Sequence, residues 1–423
     1  MILRSPLSRA RRRGISLVLV VVSLVAIMGV LAISLEGGLL LAERRNAMAT
    51  ADAAAESAAA DLYYHHYVNF GQDKGGTAKA AAEYAAKLNG YDNDEVKTKV
   101  KVHIPPLTGD YAGKASYVEV IVEYYHVRGF SALFGAGKIP VRARSVAVGK
   151  PSAGEIGIIV LDPFLKSAFN ANGGGKITVR RVPVIVNSKS SEGSTAGGGS
   201  VVDAPSYYLT GNYSTSGGGT FIGHMNTGVQ PTEDPLRFLP VPDPAKMTLQ
   251  QTNKVQLTSG TTVLYPGVYR RGISASSTAN VVLMPGNYYM DEGGFQFTGQ
   301  GSLSAEGVMI YNKPGSGTAN GVNISASGTV KLSPPTSGIY KGMLLFQERT
   351  ADVAANISGG SNMDITGTFY FPGSLLKVAG SAGFANFGSQ YISRALDVQG
   401  TGTIYIDWDP NKVGQVRLIT IVE

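Results

Sequence analysis

One uncharged apolar run near the amino terminus constrains this chain more than any other feature of its 423 residues. The run extends from Ile15 to Leu35 and contains no charged residue. A helix rises about 1.5 Å per residue, so a run of this length spans roughly 30 Å, the thickness of the hydrocarbon core of a bilayer. The sequence therefore predicts a basic tail over residues 1–14 and a transmembrane helix over residues 15–35.

The charges on either side of the run predict the orientation of this helix. Five arginines precede it: Arg4, Arg9, Arg11, Arg12 and Arg13. Beyond it, Arg44 and Arg45 are offset by Glu36 and Glu43. Basic residues stay on the cytoplasmic side of a membrane. We therefore expect a single-pass protein of a bacterial inner membrane, with a cytoplasmic amino terminus and an extracytoplasmic bulk.

Two other interpretations of the same residues stay open. A cleaved secretory signal has an apolar core of about 7–15 residues followed by a small-x-small site; this run is longer, and no clear site of that kind follows it. A pilin-type leader would be cut after Gly14, but Leu19 stands where type IV pilins usually carry Glu. We expect an uncleaved membrane anchor.

Composition narrows the classes of partner and site. The formal net charge is +7, and the five leading arginines account for most of it, so the charge indicates membrane topology and predicts no nucleic-acid partner. The chain contains no cysteine, which excludes disulfides and thiolate ligands. His65 and His66 are adjacent and would point about 100° apart on a helix, which does not suit a shared metal ion. We predict no metal, no cofactor and no catalytic residue.

Residues 36–70 predict an Ala-rich helix that continues the membrane helix, with a possible kink at Gly37 and Gly38. One face carries small and apolar residues: Ala47, Ala51, Ala54, Ala58 and Leu62. The opposite face carries Arg45, Asp52 and Glu56. The alanines are explained either by helix propensity alone or by a small-residue face that lets another helix approach closely.

Residues 71–150 predict a small α+β domain. Residues 77–88 have a helical pattern that ends at Asn89 and Gly90. Three stretches, residues 96–104, 117–127 and 139–148, alternate apolar and polar side chains as antiparallel strands do.

Residues 151–423 predict a Gly/Ser/Asn-rich right-handed parallel β-helix. Thr261–Tyr269 and Asn280–Tyr289 echo each other, and Thr368–Ser374 is a weaker third copy. A repeat near twenty residues with short strands is typical of β-solenoid turns, and a Gly-rich β-sandwich is the alternative. The Pro-rich stretch over residues 228–247 predicts a semi-rigid strap or an inserted loop.

Carboxylates of the predicted β-helix are candidates for glycan cleavage, because that reaction needs two acids in one cleft. The candidates are Asp291, Glu292, Asp364, Asp397, Asp407 and Asp409. They are scattered along the sequence, and no Asp-Asp pair with a nearby His stands out. A cell-surface polysaccharide-active enzyme is therefore the alternative to a structural protein.

The amino-terminal sequence resembles the opening of TadE/TadG-like Flp (tight adherence) pilus-assembly proteins. The matching elements are Arg11 to Gly14, the run Ile15–Leu35, Glu36 with Gly38, Arg44 with Arg45, and the stretch Ala51, Asp52, Ala53, Ala54 and Ala55. Glu36 replaces the Asp common in that family, and the match covers residues 11–62. Over residues 139–148 and in the turn-rich region the resemblance is looser.

This resemblance implies a non-enzymatic, membrane-anchored structural component of pilus assembly or surface adhesion. Its partners would be the inner membrane and other pilus-assembly proteins, with possible surface or polysaccharide contact through the β-helix. A minor pilin processed after Gly14 is a further alternative. The predicted fold class is a membrane-anchored α+β protein with a transmembrane helix continuing into the Ala-rich helix, a small α+β domain and a carboxy-terminal right-handed parallel β-helix.

Overall fold

The protein is described by a computed structural model that covers residues 11–133, 135–315, 320–381 and 384–423. The chain divides into two compact units. The first unit runs up to Pro151 and also includes Leu418–Glu423, whereas the second unit comprises Ser152–Arg417.

A single long helix, α1, extends over Arg11–Tyr64. The apolar run and the Ala-rich stretch therefore belong to one uninterrupted helix, as predicted, and Gly37 and Gly38 do not break it. Side chains from Leu17 to Leu35 are exposed, and the described part of α1 is long and apolar enough to span a membrane. Arg11, Arg12 and Arg13 begin the helix, whereas Arg4 and Arg9 lie outside the described residues.

The helix ends earlier than the predicted residue 70. Tyr64 closes α1, a short helix α2 follows over His66–Asn69, and Phe70 adopts a left-handed conformation that ends it. A third helix, α3, covers Thr77–Leu88, as the sequence predicts.

The second half of α1 is built into the core of the first unit. The predicted stripe is buried in full: Ala47, Ala51, Ala54, Ala58 and Leu62. It belongs to one apolar cluster with Ala78, Ala82 and Ala86 of α3. Close packing of a helix on the alanine face is therefore found within this chain, between α1 and α3.

A four-stranded sheet completes the first unit. Its strands are β1 (Thr98–His103), β2 (Tyr117–His126), β3 (Ile139–Ala153) and β31 (Gln415–Ile421), in the order β1-β2-β3-β31. The three predicted strands are confirmed, and β1–β2 and β2–β3 are antiparallel. A separate α+β domain over residues 71–150 is not evident, because these residues share their core with α1 and their sheet with the carboxy-terminal strand.

The second unit is a parallel β-solenoid of about eleven turns. Its first strands are β4 (Ile158–Val160), β5 (Phe169–Ala171), β6 (Lys176–Arg180), β7 (Val184–Val186), β8 (Ser194–Ala196), β9 (Val201–Leu209), β10 (Tyr213–Thr215) and β11 (Thr220–Thr227). The next are β12 (Leu249–Gln251), β13 (Val255–Leu257), β14 (Thr261–Leu264), β15 (Gly267–Arg270), β16 (Ile273–Ala275), β17 (Asn280–Leu283), β18 (Gly286–Asp291), β19 (Phe295–Gly299) and β20 (Leu303–Ala305). The last are β21 (Val308–Lys313), β22 (Val322–Ala326), β23 (Val330–Leu332), β24 (Met343–Gln347), β25 (Ala355–Gly359), β26 (Met363–Ile365), β27 (Thr368–Gly380), β28 (Phe384–Phe387), β29 (Gln390–Gly400) and β30 (Thr403–Asp407).

The turns build three parallel sheets. The first sheet contains β12, β15 and β18, the second β13, β16 and β19, and the third β14, β17 and β20. The longer strands β9, β11, β27 and β29 each contribute to two of the sheets. The two clearest sequence echoes lie in neighbouring turns, with Thr261 beside Asn280 and Leu264 beside Leu283. Within the described residues, the strand pairs of the solenoid are parallel, so the β-sandwich alternative is wrong.

The turns do not stack in chain order. Starting at one end, the turns lie along the axis in this order: β12 to β14, β15 to β17, β18 to β20, β21 to β23, β24 to β26, β27 to β28, β29 to β30, β4 to β6, β7 to β9 and β9 to β11, with residues 224–227 at the end of β11 beginning an eleventh. The first turn made by the chain therefore lies in the interior of the stack. We call the contact between β29–β30 and β4–β6 the seam; it pairs Tyr391 with Ile158 and Leu396 with Phe169.

The Pro-rich stretch joins the two ends of this stack. It leaves β11 at one end, contains a 3₁₀ turn over Pro244–Lys246, and enters β12 at the other end. On the way, Thr232 exchanges hydrogen bonds with Asn187, and Leu236 and Leu239 are buried. We call residues 228–248 the strap, which agrees with the strap interpretation of the sequence.

Candidate functional surfaces

The acidic residue that follows the apolar run is fixed by the first unit. Glu36 is only 5 % exposed. Its carboxylate accepts hydrogen bonds from the Gly129 amide (3.1 Å), the Ser131 amide (2.6 Å) and the Ser131 hydroxyl (2.6 Å). These amides begin the 3₁₀ turn Phe130–Leu133, so Glu36 caps that turn and ties it to α1. His126 Nε2 lies 3.9 Å from the same carboxylate.

The other residues of the family-like motif divide into buried and open groups. Ala51, Ala54 and Ala55 are buried within the first unit. Asp52 and Ala53 are half-buried, and the Asp52 Oδ1 atom is shielded from solvent with no hydrogen-bond partner in the described part of the chain.

The solvent-exposed residues of the motif lie around Gly38. Arg44 and Arg45 are exposed, and a Cβ atom added at Gly37 or Gly38 would meet nothing within 4 Å. The two glycines border an open groove of about 740 Å³ between α1 and the start of β3. Gly14 and Ile15 lie in the first turns of α1.

The outer face of the first solenoid sheet is apolar and covered by the strap. One side chain per turn points outward, and neighbouring turns align them in register: Val268, Tyr289, Tyr311, Phe346, Tyr370, Ile392, Ile159 and Ile185. These residues form one apolar cluster with Leu236 and Leu239 of the strap. Burial raises the pKa of Tyr289 to about 12.

Polar contacts hold the strap on this face. The Arg349 guanidinium donates to the carbonyls of Leu236 (2.9 Å) and Leu239 (2.6 Å) and, through Nε, to the Tyr370 hydroxyl (3.0 Å). Tyr370 in turn donates to the Asp234 carboxylate at 2.6 Å, and burial raises the pKa of Asp234. This face is therefore occupied by the chain itself.

The outer face of the second sheet is a polar ladder open to solvent. It runs in register through Gln256, Ser274, Gln296, Asn323, Asn356, Lys377, Asp397, Asn170, Thr195 and Ser214. Neighbouring amides and carboxylates bond along it, as from Asn356 to Asn323 (3.0 Å) and from Asn170 to Asp397 (2.9 Å). Asp397 is thus a member of a structural ladder.

The third sheet carries the groove in which several carboxylates meet. A groove of about 390 Å³ is lined by Asp364, Asp407, Asp409 and also Glu306, with Lys331 and Lys412. Asp291 is elsewhere, at the end of β18, where Lys313 lies 3.9 Å from it. Glu292, which adopts a left-handed backbone conformation just after β18, does not line the groove. The structure therefore brings together three of the six sequence candidates.

The groove offers polar binding groups more than acid–base chemistry. Asp364 accepts a hydrogen bond from Asn386 (3.3 Å), Asp407 lies 3.6 Å from Arg181, and Asp409 accepts from the Asn411 amide (2.9 Å). Asp364 is exposed, Asp409 is half-buried, and polar residues line the groove, whereas a general acid for glycan cleavage is kept protonated by an apolar pocket. Within the described ranges, no group of three or more His, Asp or Glu side chains could hold a metal ion.

Sequence reasoning missed Glu306, Lys331 and Lys412, because residues far apart in sequence meet only when the turns are stacked. The register of the strands shows why: Lys331 lies beside Asp364, and Asp364 beside Asn386. Alignment of the turns would therefore have identified Lys331, whereas Glu306 follows β20 and Lys412 follows β30, outside this register.

Comparison of the chain with protein-family models, with curated proteins and with solved structures finds no match.

Proposed function

We propose that this chain is a membrane-anchored structural component of an envelope assembly, of the kind that TadE/TadG-like proteins form in Flp pilus assembly. The observation that carries the proposal is the division of α1 into two halves. Its first half exposes apolar side chains from Leu17 to Leu35, whereas its second half is buried in a folded unit. A helix with an uncovered apolar half of this length suits a bilayer, and the buried half would fix the anchor rigidly to the first unit.

The absence of cysteine from the chain allows a direct test of topology. We would introduce Ser8→Cys in the basic tail and, separately, Thr215→Cys on the exposed surface of the solenoid. The proposed orientation predicts that a membrane-impermeant maleimide labels Thr215→Cys in intact spheroplasts and labels Ser8→Cys only after lysis. Labelling of Ser8→Cys in intact spheroplasts, or recovery of the protein in the soluble fraction, would contradict it.

The proposed partner is a membrane helix of another pilus-assembly protein that contacts α1 around Gly38. The open groove beside Gly37 and Gly38 supports this position, because small residues let helices approach closely. Gly38→Leu should abolish copurification of the pilus-assembly proteins while leaving the fold intact. Gly29→Leu is the matched control, since nine residues on a helix place it on the opposite face. Equal copurification with both variants would contradict the proposed contact.

Processing as a minor pilin is distinguished by the mature amino terminus. An uncleaved anchor predicts a protein that begins with the basic tail. Amino-terminal sequencing that finds Ile15 as the first residue would instead favour the pilin interpretation.

A second candidate function is a polysaccharide-active surface, which the groove lined by Glu306, Asp364 and Asp407 favours. If the groove cleaves glycans, Asp364→Asn and Asp407→Asn should each lower a measured cleavage rate. Asp397→Asn is the matched control on the second-sheet ladder, outside the groove. If the protein is structural, we expect no glycan cleavage that depends on Asp364 or Asp407.

A further inference from the structure

Both ends of the solenoid present strands that are paired on one side only. At one end, β10 pairs with β8 and β11 with β9; at the other, β12, β13 and β14 pair with β15, β16 and β17. In the described part of the chain, no strand lies on the outer side of these end turns. Each end therefore exposes a row of backbone donors and acceptors from all three sheets.

The two end turns carry almost no charge, although each has one irregularity, after Ile222 in β11 and after Leu249 in β12. Soluble proteins usually cover such edges or place charged residues on them. Residues 204–232 contain no Asp, Glu, Lys or Arg, and between Met247 and Tyr269 only Lys254, on a corner, is charged. By comparison, 16% of the whole chain is charged.

The end turns also expose apolar side chains. Exposed large apolar residues lie on or beside them at both ends: Tyr208, Tyr213 and Ile222 at one, and Leu249, Val263 and Tyr265 at the other. At the first end, the half-buried Phe221 ring packs edge-on against Tyr207 and Tyr213, at ring-centroid distances of 5.6 Å. At the second end, Val255 and Leu257 are only partly buried against the core. The apolar core thus continues to the open end of each stack.

The seam shows that turns of this chain can stack without being consecutive. There, β29–β30 are followed along the axis by β4–β6, and all three sheets continue in parallel register. All the turns progress along the axis in the same direction, so the β11 end of one copy meets the β12 end of another with the same polarity.

We propose that the two ends dock head to tail, so that the occupant of each free end is the opposite end of a second copy of this chain. Because the two docking surfaces differ, the contact does not close on itself and would extend into a filament. In the third sheet, Ile222 and Val263 occupy equivalent outward positions at the two ends. They would lie side by side across the contact. This inference does not depend on the pilus assignment or on the membrane anchor.

The test is the mass of the full chain in detergent micelles, measured by light scattering and sedimentation velocity over a range of concentrations. We expect the wild-type mass to rise with concentration in steps of one chain, and electron micrographs to show rods of stepwise length. Ile222→Lys and Val263→Lys should each raise the dissociation constant by at least about tenfold, because each places a charge in an apolar contact. Ser304→Lys, on the same outward column but inside the stack, should associate as the wild type does.

Mixing distinguishes this arrangement from any other self-association. Each of the two lysine variants keeps one intact end, so a mixture of Ile222→Lys and Val263→Lys should form dimers and nothing longer. A chain carrying Ile222→Lys together with Val263→Glu should regain association, which also shows that the lysine variants fold. A wild-type mass that stays at one chain, or end variants that associate as the wild type does, would overturn the proposal.

Discussion

At the scale of single residues, the contacts of Glu36 explain why an acid follows the apolar run. A carboxylate at this position satisfies two backbone amides at the start of a 3₁₀ turn and the hydroxyl of Ser131. The resemblance to pilus-assembly proteins indicated that the position matters, but no pattern in the sequence indicated the partner, which lies some ninety residues away at Gly129 and Ser131.

Replacing Glu36 by Ala should destabilise the first unit by about 0.5–2 kcal/mol, because the 3₁₀ turn loses the side chain that caps it. Hydrogen exchange of the Ser131 amide should become faster by a corresponding factor. Glu56→Ala, at an exposed position on the same helix, should leave this exchange rate unchanged. Protection of the Ser131 amide that survives in Glu36→Ala would show that the cap contributes nothing.

Arg144 joins two glutamates of the first unit. It donates to Glu119 at 2.6 Å and to the Glu423 carboxylate. Burial alone would raise the pKa of Glu119, but hydrogen bonds from Thr108 and Arg144 outweigh it, so this pKa lies below its usual value. The hydrogen bond from Arg144 likewise lowers the pKa of Glu423.

These two lowered pKa values predict acid sensitivity. A glutamate with a depressed folded-state pKa stabilises the fold above its unfolded pKa of about 4.3, and the stabilisation is lost as pH falls through the folded value. We expect the free energy of unfolding of the first unit to fall below about pH 4.3. Arg144→Met should cost about 1.5–3 kcal/mol at neutral pH and make this fall shallower. Arg45→Met, at an exposed arginine of α1, is the control, and an identical pH profile for both variants would refute the assignment.

At the scale of elements, the strap turns an apolar sheet face into part of the core. The outward column from Val268 to Ile185 would otherwise be an exposed apolar stripe along the solenoid. Prolines keep the strap from pairing as a strand, so side-chain donors such as Arg349 satisfy its carbonyls instead.

Arg349→Met should loosen the strap without unfolding the solenoid. Loss of the bonds to Leu236 and Leu239 would leave two carbonyls unsatisfied, and we expect tryptic cleavage after Arg237 to rise by at least about tenfold, equivalent to 1.4 kcal/mol. Arg349→Lys keeps the charge but not the planar pair of donors, so its cleavage rate should be intermediate. Cleavage that stays at the wild-type rate in Arg349→Met would contradict this role of the guanidinium.

Local sequence patterns predict most helices and strands, but they do not predict which distant strands pair. Residues 77–88 and the strands of the first unit follow from periodicity over short windows, and the echo at Thr261 and Asn280 identifies neighbouring turns. The weaker copy at Thr368 is not structurally equivalent to the other two. Thr368–Phe371 lies in the first sheet, whereas Thr261–Leu264 lies in the third. The strand β31 and the groove residue Glu306 depend on contacts between distant segments, for which a single sequence carries no local signal.

At the scale of the whole molecule, the solenoid is an insertion between two neighbouring strands of the first unit. Val146 of β3 donates to the Glu423 carbonyl (2.8 Å) and accepts from the Glu423 amide (3.3 Å), which is the pattern of an antiparallel pair. The strand β3 ends at Ala153 and β31 begins at Gln415, so residues 154–414 are inserted between two strands of one sheet.

Replacing residues 154–414 by an Asn-Gly turn should therefore leave a first unit that folds, because a two-residue turn joins antiparallel neighbours. The melting temperature of the first unit should change by no more than about 4 °C, the shift that roughly 1 kcal/mol produces in a domain of this size. Hydrogen exchange should still protect the Val146 amide. Loss of that protection, with Val120 on β2 also exchanging freely, would show that the first unit needs the solenoid to fold.

The seam also determines the order in which the turns can stack during synthesis. The turns from Ile158 to Thr227 leave the ribosome first, yet the turn on which they stack, β29–β30, is among the last to emerge. The early turns therefore cannot stack on β29 and β30 until those strands have been made. Their strand edges stay uncovered while most of the solenoid is still being synthesised. A chain of this topology cannot complete its solenoid from the leading end alone. The stack is complete only after Tyr391 has been synthesised, so one of the last strands to be made closes the structure.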